Sequence, residues 1–94
     1  MARLPIHPGE ILADEIHELG MSISDLADIL HIPKNQITEI INGQRSITAD
    51  TALRLGQYFR TGAELWMNLQ KNYELRLAEQ TSGEKIQATI QPRS

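Results

Sequence analysis

The sequence predicts an all-α chain, a bundle of five helices. Three observations carry that reading. Apolar residues recur at three- and four-residue spacing along most of the chain. Ser or Thr followed three residues later by an acid opens two of those stretches, and Gly or Pro punctuates the gaps between them. Only one short stretch near the C-terminus alternates with the two-residue period of a strand. The 94 residues support one domain with a modest core, with no room for a separate catalytic domain and no internal repeat. The domain is expected to span residues 1–80, and residues 81–94 to form a tail holding the strand-like stretch.

Residues 1–7 read as short and extended, because Pro5 and Pro8 resist helix at the residue before each of them. The first helix then starts near Pro8 to Glu10, with acids suited to its first turns. Leu12, Ile16 and Leu19, with Ile11 beside them, have helical spacing, and Gly20 ends the run.

Ile23 to Asn42, ISDLADILHIPKNQITEIIN, organises the rest. Ser22 caps its first helix, and Asp25 completes a near capping box. Ile23, Leu26, Ala27 and Leu30 form the buried stripe. His31, Ile32 and Pro33 make a tight turn. Pro33 lies at the start of the next helix, where its missing N–H costs nothing, and Gly43 lies just past that helix, where a left-handed cap is wanted. A helix-turn-helix unit wants a small residue at its fifth place, a residue tolerant of positive φ at its ninth, and branched apolar residues at its fifteenth and eighteenth. Counted from Ile23, those places hold Ala27, His31, Ile37 and Ile40. His31 departs from the Gly usual in the turn, although His tolerates positive φ better than most residues. The second helix spans about Lys34 to Asn42. Its Lys34, Asn35, Gln36, Thr38, Glu39 and Asn42 are not needed for a core, and several share one outward face. That is the build of a helix entering the major groove of DNA.

The loop Gly43 to Ile47 holds Arg45, placed to reach a phosphate beside the groove. Thr48 caps a fourth helix through about Phe59, with Ala52, Leu53, Leu55 and Phe59 as core contacts. Thr61 and Glu64 read as another capping box opening the longest helix, through about Gln80. On a wheel of 100° per residue, Leu65, Trp66, Leu69, Tyr73 and Leu77 fall within roughly 120° and pack inward. Met67, Leu75 and Ala78, with the stem of Lys71 among them, fall on a second arc that a monomer does not use and a protein partner would. Ser82 and Gly83 mark a break. KIQATIQP then alternates Ile86, Ala88 and Ile90 with polar residues. A lone strand must pair with its twin, with the N-terminal segment or with another protein's sheet edge, or else be a disordered tail.

The net charge of −3 is unusual for a DNA binder, but its distribution helps. Residues 1–32 carry one Arg against six acids, a balance of −5. Residues 33–60 carry Lys34, Arg45, Arg54 and Arg60 against Glu39 and Asp50, a balance of +2 that coincides with the reading helix. So few bases imply weak nonspecific binding by one subunit, which two linked copies would strengthen. The acidic N-terminal third suits a basic protein partner or simply solvates two helix faces. The absence of Cys excludes disulfides and thiolate metal sites. No apolar run suits a signal peptide or membrane span, so a cytoplasmic protein without a membrane partner is expected. His7, Glu10, Asp14 and His17 can be drawn as a metal cluster. The acids equally fit a solvated helix face, and no nucleophile or glycine-rich phosphate loop accompanies them. Neither an enzyme nor a metal or cofactor protein is expected.

HPGEIL (7–12), LADIL (26–30), IINGQRSITADTALRL (40–55) and ELWMNLQKNYELRLAE (64–79) resemble the HigA-type, VapI-like antitoxins of the Cro/phage-repressor helix-turn-helix group. The W-x-N-L-Q run is the most specific of these, because it separates that family from generic helix-turn-helix regulators. The resemblance implies a dimer that binds operator DNA, represses its own operon, and silences a RelE-like toxin that cuts mRNA on the ribosome. It also implies base and phosphate contacts from Lys34, Asn35, Gln36, Thr38, Glu39, Asn42 and Arg45. Asn35 and Gln36 suit adenine, Lys34 suits guanine or a phosphate, and Glu39 suits a cytosine amine. The family often has Gln where Ile23 stands, so a phosphate contact there would fall to backbone N–H groups. The competing reading is a stand-alone regulator without a toxin, in which the second apolar arc only builds the dimer.

Overall fold

Five helices and no strand make up the residues that the computed structural model describes, 5–93. In chain order they are α1 (Pro8–Glu18), α2 (Ile23–Leu30), α3 (Lys34–Ile41), α4 (Ala49–Phe59) and α5 (Ala63–Thr89). The extended segment expected over residues 1–7 lies, for residues 1–4, outside the described residues. α2 packs on α3, α1 crosses α3, and α5 lies along α4 with a smaller contact to α1. One core joins them, built from Leu12, Ile16, Leu26, Leu30, Ile37, Ile40, Ile47, Leu55 and Trp66, among others.

Local chemistry sets each boundary. His7 caps α1: its Nδ1 accepts from the Gly9 N–H at 2.9 Å, while Glu10 Oε2 accepts from the His7 N–H. Ser22 and Asp25 form the expected reciprocal box on α2. His31 takes the left-handed conformation the turn requires, with φ 58° and ψ 43°. Arg54 on α4 then reaches back, donating to the carbonyls of Leu30 and His31 at 2.8 and 3.3 Å and satisfying the end of α2. Ala27 is buried at the α2–α3 crossing. Ile37 and Ile40 are fully buried, and truncating either to Ala would cost about 2–5 kcal/mol.

Two glycines permit contacts that no other residue would. A Cβ added at Gly9 would sit 1.8 Å from the Ile40 carbonyl oxygen, so α1 meets α3 backbone to backbone. One added at Gly56 would sit 2.4 Å from the Gly62 carbonyl carbon, where the chain turns from α4 into α5.

The C-terminal third departs from expectation. α5 runs without a break to Thr89, so Ser82 and Gly83 interrupt nothing, and Ile86 to Thr89 are helical rather than a strand. The expected division between residues 1–80 and 81–94 falls inside this helix. A strand there would have no partner among the described residues, whereas a helix satisfies its own backbone. Glu84 to Ala88 are mostly good helix formers, and one Gly within a helix costs only about 1 kcal/mol. The hydroxyls of Thr81 and Thr89 fold back onto the carbonyls of Leu77 and Lys85. The expected Thr61–Glu64 capping box is also replaced. Gly62, at φ 82°, is the N-cap without a side-chain bond, and the Thr61 hydroxyl instead accepts from Trp66 Nε1 at 3.1 Å.

Four Leu assigned to the core are exposed. Leu53 is 64% exposed, 100° around α4 from Ala52, and Thr51 takes the inward place. Leu19 is the α1 C-cap, at the very end of the helix. Leu65 lies at the edge of the inward arc of α5, and Leu77 lies on that arc but beyond the body.

Candidate nucleic-acid interface

On a wheel of 100° per residue, Lys34, Thr38, Asn42, Asn35 and Glu39 share an arc of about 140°, while Ile37 and Ile40 lie on the far side and Ile41 borders the arc next to Lys34. Burial agrees. Ile37 and Ile40 are buried, Lys34, Asn35 and Asn42 are exposed, and Thr38 and Glu39 are half-buried. The helix is therefore fastened along one flank and shows a polar row on the other. Lys34 and Asn35 open that row. Pro33, the N-cap, supplies no side-chain bond to the first N–H groups of α3, which leaves positive helix-dipole character beside Lys34.

The individual side chains differ in readiness. Gln36 lies about 200° around the wheel from Lys34, next to the apolar side. Its Nε2 donates to Thr51 Oγ1 at 3.2 Å, so the amide is tied to α4 and is not displayed with the others. Thr51 is itself buried and exchanges bonds with Thr48, so this contact helps to set α4 against α3. Thr38 Oγ1 donates to its own helix at the Lys34 carbonyl, at 3.1 Å. Glu39 pairs with Arg45, whose Nε and Nη2 both lie 2.7 Å from Glu39 Oε1. Arg45 is exposed and Glu39 only half-buried, so the pair orients more than it stabilises. It places the guanidinium beside the polar row of α3.

The start of α2, where Ile23 stands, carries a carboxylate. The Asp25 carboxylate accepts from the Ser22 N–H and sets negative charge at the start of α2. Ile23 itself is packed against the core.

Sequence reasoning missed three supporting residues. Gln70 is 3% exposed, and its Oε1 accepts from the Ile47 N–H at 2.8 Å. It is the final residue of the W-x-N-L-Q run, which was the available signal. Arg54, read as part of the positive segment, caps α2 and pairs with Asp50 at 2.9 Å. His7 is buried edge-on against Tyr73, with ring centroids 4.7 Å apart. Burial pushes its imidazole below the ordinary value of 6.5, against opposing pulls from the Glu10 carboxylate and the Arg45 backbone. With its Nδ1 spent on Gly9, His7 is a cap and a packing group in the floor of the Arg45 loop. Among the described residues, no three His, Asp or Glu side chains group as a metal site.

The residues proposed for a protein contact, Met67, Lys71, Leu75 and Ala78, are all exposed on α5. Because the helix continues, their arc extends through Ser82 to Ile86. No helix of the described residues is long and apolar enough to cross a membrane.

Residues 15–66 match the Helix-turn-helix family. Virulence-associated protein I of Dichelobacter nodosus is 51% identical over 76 residues, which are 80% of this chain and 70% of that protein. The structure is similar to an addiction module antidote protein of the HigA family from Coxiella burnetii, with a TM-score of 0.94 and 52% identity over 99% of this chain and 100% of that one. It is also similar to the Pseudomonas aeruginosa antitoxin HigA, solved with the higBA promoter, with a TM-score of 0.92 and 45% identity over 96% and 99% of the two chains. The chain thus belongs to the Helix-turn-helix family and, within it, to the HigA-type, VapI-like antitoxins, regulators rather than enzymes.

Proposed function

We propose that this protein is the antitoxin of a type II toxin–antitoxin system, which binds operator DNA as a homodimer, represses its own operon and neutralises a RelE-like mRNA-cleaving toxin in the cytoplasm. The observation that carries the DNA half is the pinned helix α3, with Lys34, Asn35 and Asn42 displayed along one side and Arg45 beside them. Lys34 and Asn35 contact base edges, Arg45 contacts a phosphate, and Thr38, Glu39 and Asn42 line the groove. Gln36 supports the helix through Thr51 and reaches DNA only if that bond opens. A homolog solved with its promoter supports the same use of the fold. Two copies would read half-sites about one turn apart, roughly 34 Å. The exposed arc of Met67, Lys71, Leu75 and Ala78 is the surface offered to a second copy or to the toxin.

The test is co-expression with the neighbouring reading frame, followed by a pull-down and a gel shift on the region upstream of the operon. Co-purification of a small basic ribonuclease and a shifted promoter are expected. A shift without any partner would leave a stand-alone regulator. The double variant Lys34→Ala, Asn35→Ala is expected to abolish the shift with the fold intact. Undiminished sequence-specific binding would refute the groove assignment.

A further inference from the structure

The loop that carries Arg45 is held at three points, one of them the hydrogen bond between His7 and the Arg45 backbone beneath it. On one side, the N–H groups of Gly43 and Gln44 donate to the carbonyls of Ile40 and Glu39, at 3.0 and 2.8 Å, which ties the loop to α3. On the other side, the buried Ile47 N–H donates to Gln70 Oε1 at 2.8 Å, which ties it to α5. Arg45 lies between these anchors. The orientation of the Gln70 amide is also specified. Its Nε2 donates to Glu74 Oε2 at 3.0 Å, and a carboxylate only accepts, so the amide oxygen must turn toward Ile47. An apolar residue of the same size would fill the space under the loop equally well. A buried amide with a dedicated partner indicates that the loop's position matters and not merely its packing.

We propose that Gln70 is a positioning residue for operator binding: oriented by Glu74, it fixes the Ile47 backbone so that Arg45 lies at the edge of the α3 reading face. The proposal rests on the reading of α3 and Arg45 as a DNA interface. It also gives the last residue of the W-x-N-L-Q run a definite task. The side chain touches no DNA and acts through one backbone N–H.

The experiment measures binding of the full chain to a labelled duplex of the region upstream of its own reading frame, across a series of salt concentrations. Ile47 amide exchange is followed in parallel. Gln70→Met keeps the volume and removes the acceptor. It is expected to weaken binding about tenfold and to lower the salt slope by about one, as loss of one phosphate contact does. In an Arg45→Ala background, Gln70→Met is expected to cost nothing further, because the contact it positions is already gone. Gln70→Glu keeps an acceptor for Ile47 but sets it against the Glu74 carboxylate, and is expected to weaken binding less than Gln70→Met. Adding Glu74→Gln is expected to restore wild-type affinity and slope, since the carboxylate at position 70 then accepts from both Ile47 and the new amide. Unchanged affinity and slope in Gln70→Met would overturn the proposal, as would an equal loss with and without Arg45. If Gln70→Met fails to fold, failure of the double swap to recover binding overturns it instead. If Arg45→Ala itself changes neither affinity nor slope, the interface reading fails at Arg45 and the proposal falls with it. Failure at Gln70 alone leaves the interface standing.

Discussion

Gly9→Ala sets local propensity against packing, and the two give opposite signs. Alanine in a helix is favoured over glycine by up to about 1 kcal/mol, so the sequence alone marks this substitution as stabilising. The structure says otherwise. The new methyl would arrive 1.8 Å from the Ile40 carbonyl oxygen and 2.9 Å from the Ile41 Cα. Bringing the first contact merely to 3.0 Å requires the α1 and α3 backbones to part by about 1.2 Å, and neither neighbour is a side chain that can swing away. Overpacking against side chains typically costs about 1–3 kcal/mol, and backbone lies at the upper end, so a net loss of about 3 kcal/mol is expected. For a domain of this size that lowers the melting temperature by about 12–24 °C. Circular dichroism melts of wild type and variant read it directly. Gly83→Ala is the control, because its added Cβ meets only Glu79 Cβ, at 3.8 Å. That variant is expected to raise protection of the distal α5 amides without lowering the melt. A Gly9→Ala protein melting at or above wild type would refute the claim that α1 and α3 touch through their backbones.

Three other expectations follow from single residues. His31→Gly relieves a left-handed residue whose exposed side chain makes no bond, and is expected to stabilise by about 1 kcal/mol in urea titration. The His7 imidazole is depressed by burial, so below about pH 6.5 the unfolded chain takes up a proton that the folded chain refuses. Stability is therefore lost as pH falls from 6.5 through the lower folded value, and His7→Asn, which can still cap α1, is expected to remove that component from melts between pH 7 and 5. Leu75→Glu is expected to disrupt assembly or toxin capture with an unchanged melt, since Leu75 is 51% exposed; unaltered sedimentation and pull-down would remove the second-arc idea.

The helix-turn-helix was legible because its rules are local. Ser22, Pro33, Gly43 and the spacing of Ala27, Ile37 and Ile40 each dictate geometry within a few residues, and His31 takes the one conformation that the turn permits. What the sequence hid depends on distant neighbours. Thr51 and Gln70 are buried although polar, since each meets a partner on another element, and hydropathy alone assigned Leu53 and Leu65 to the core instead. The strand-like alternation of Ile86, Ala88 and Ile90 failed for a related reason: a two-residue period means a strand only where another strand waits to pair. Within the candidate interface, the polar row was readable from the wheel. The diversion of Gln36 to Thr51 and of Glu39 to Arg45 was not, because both bonds cross between elements.

Arg54 is a cation by composition and a bracket by position: its guanidinium closes the end of α2 and meets Asp50. Among the described residues, the positive charge beside α3 is that of Lys34 and of an Arg45 already engaged with Glu39. A protein so sparsely charged would grip random duplex only briefly, which favours a search by repeated collision over long sliding along the contour. If α3 reads DNA as proposed, occupancy of a specific site would rest on dwell time set by contacts to base edges rather than by charge.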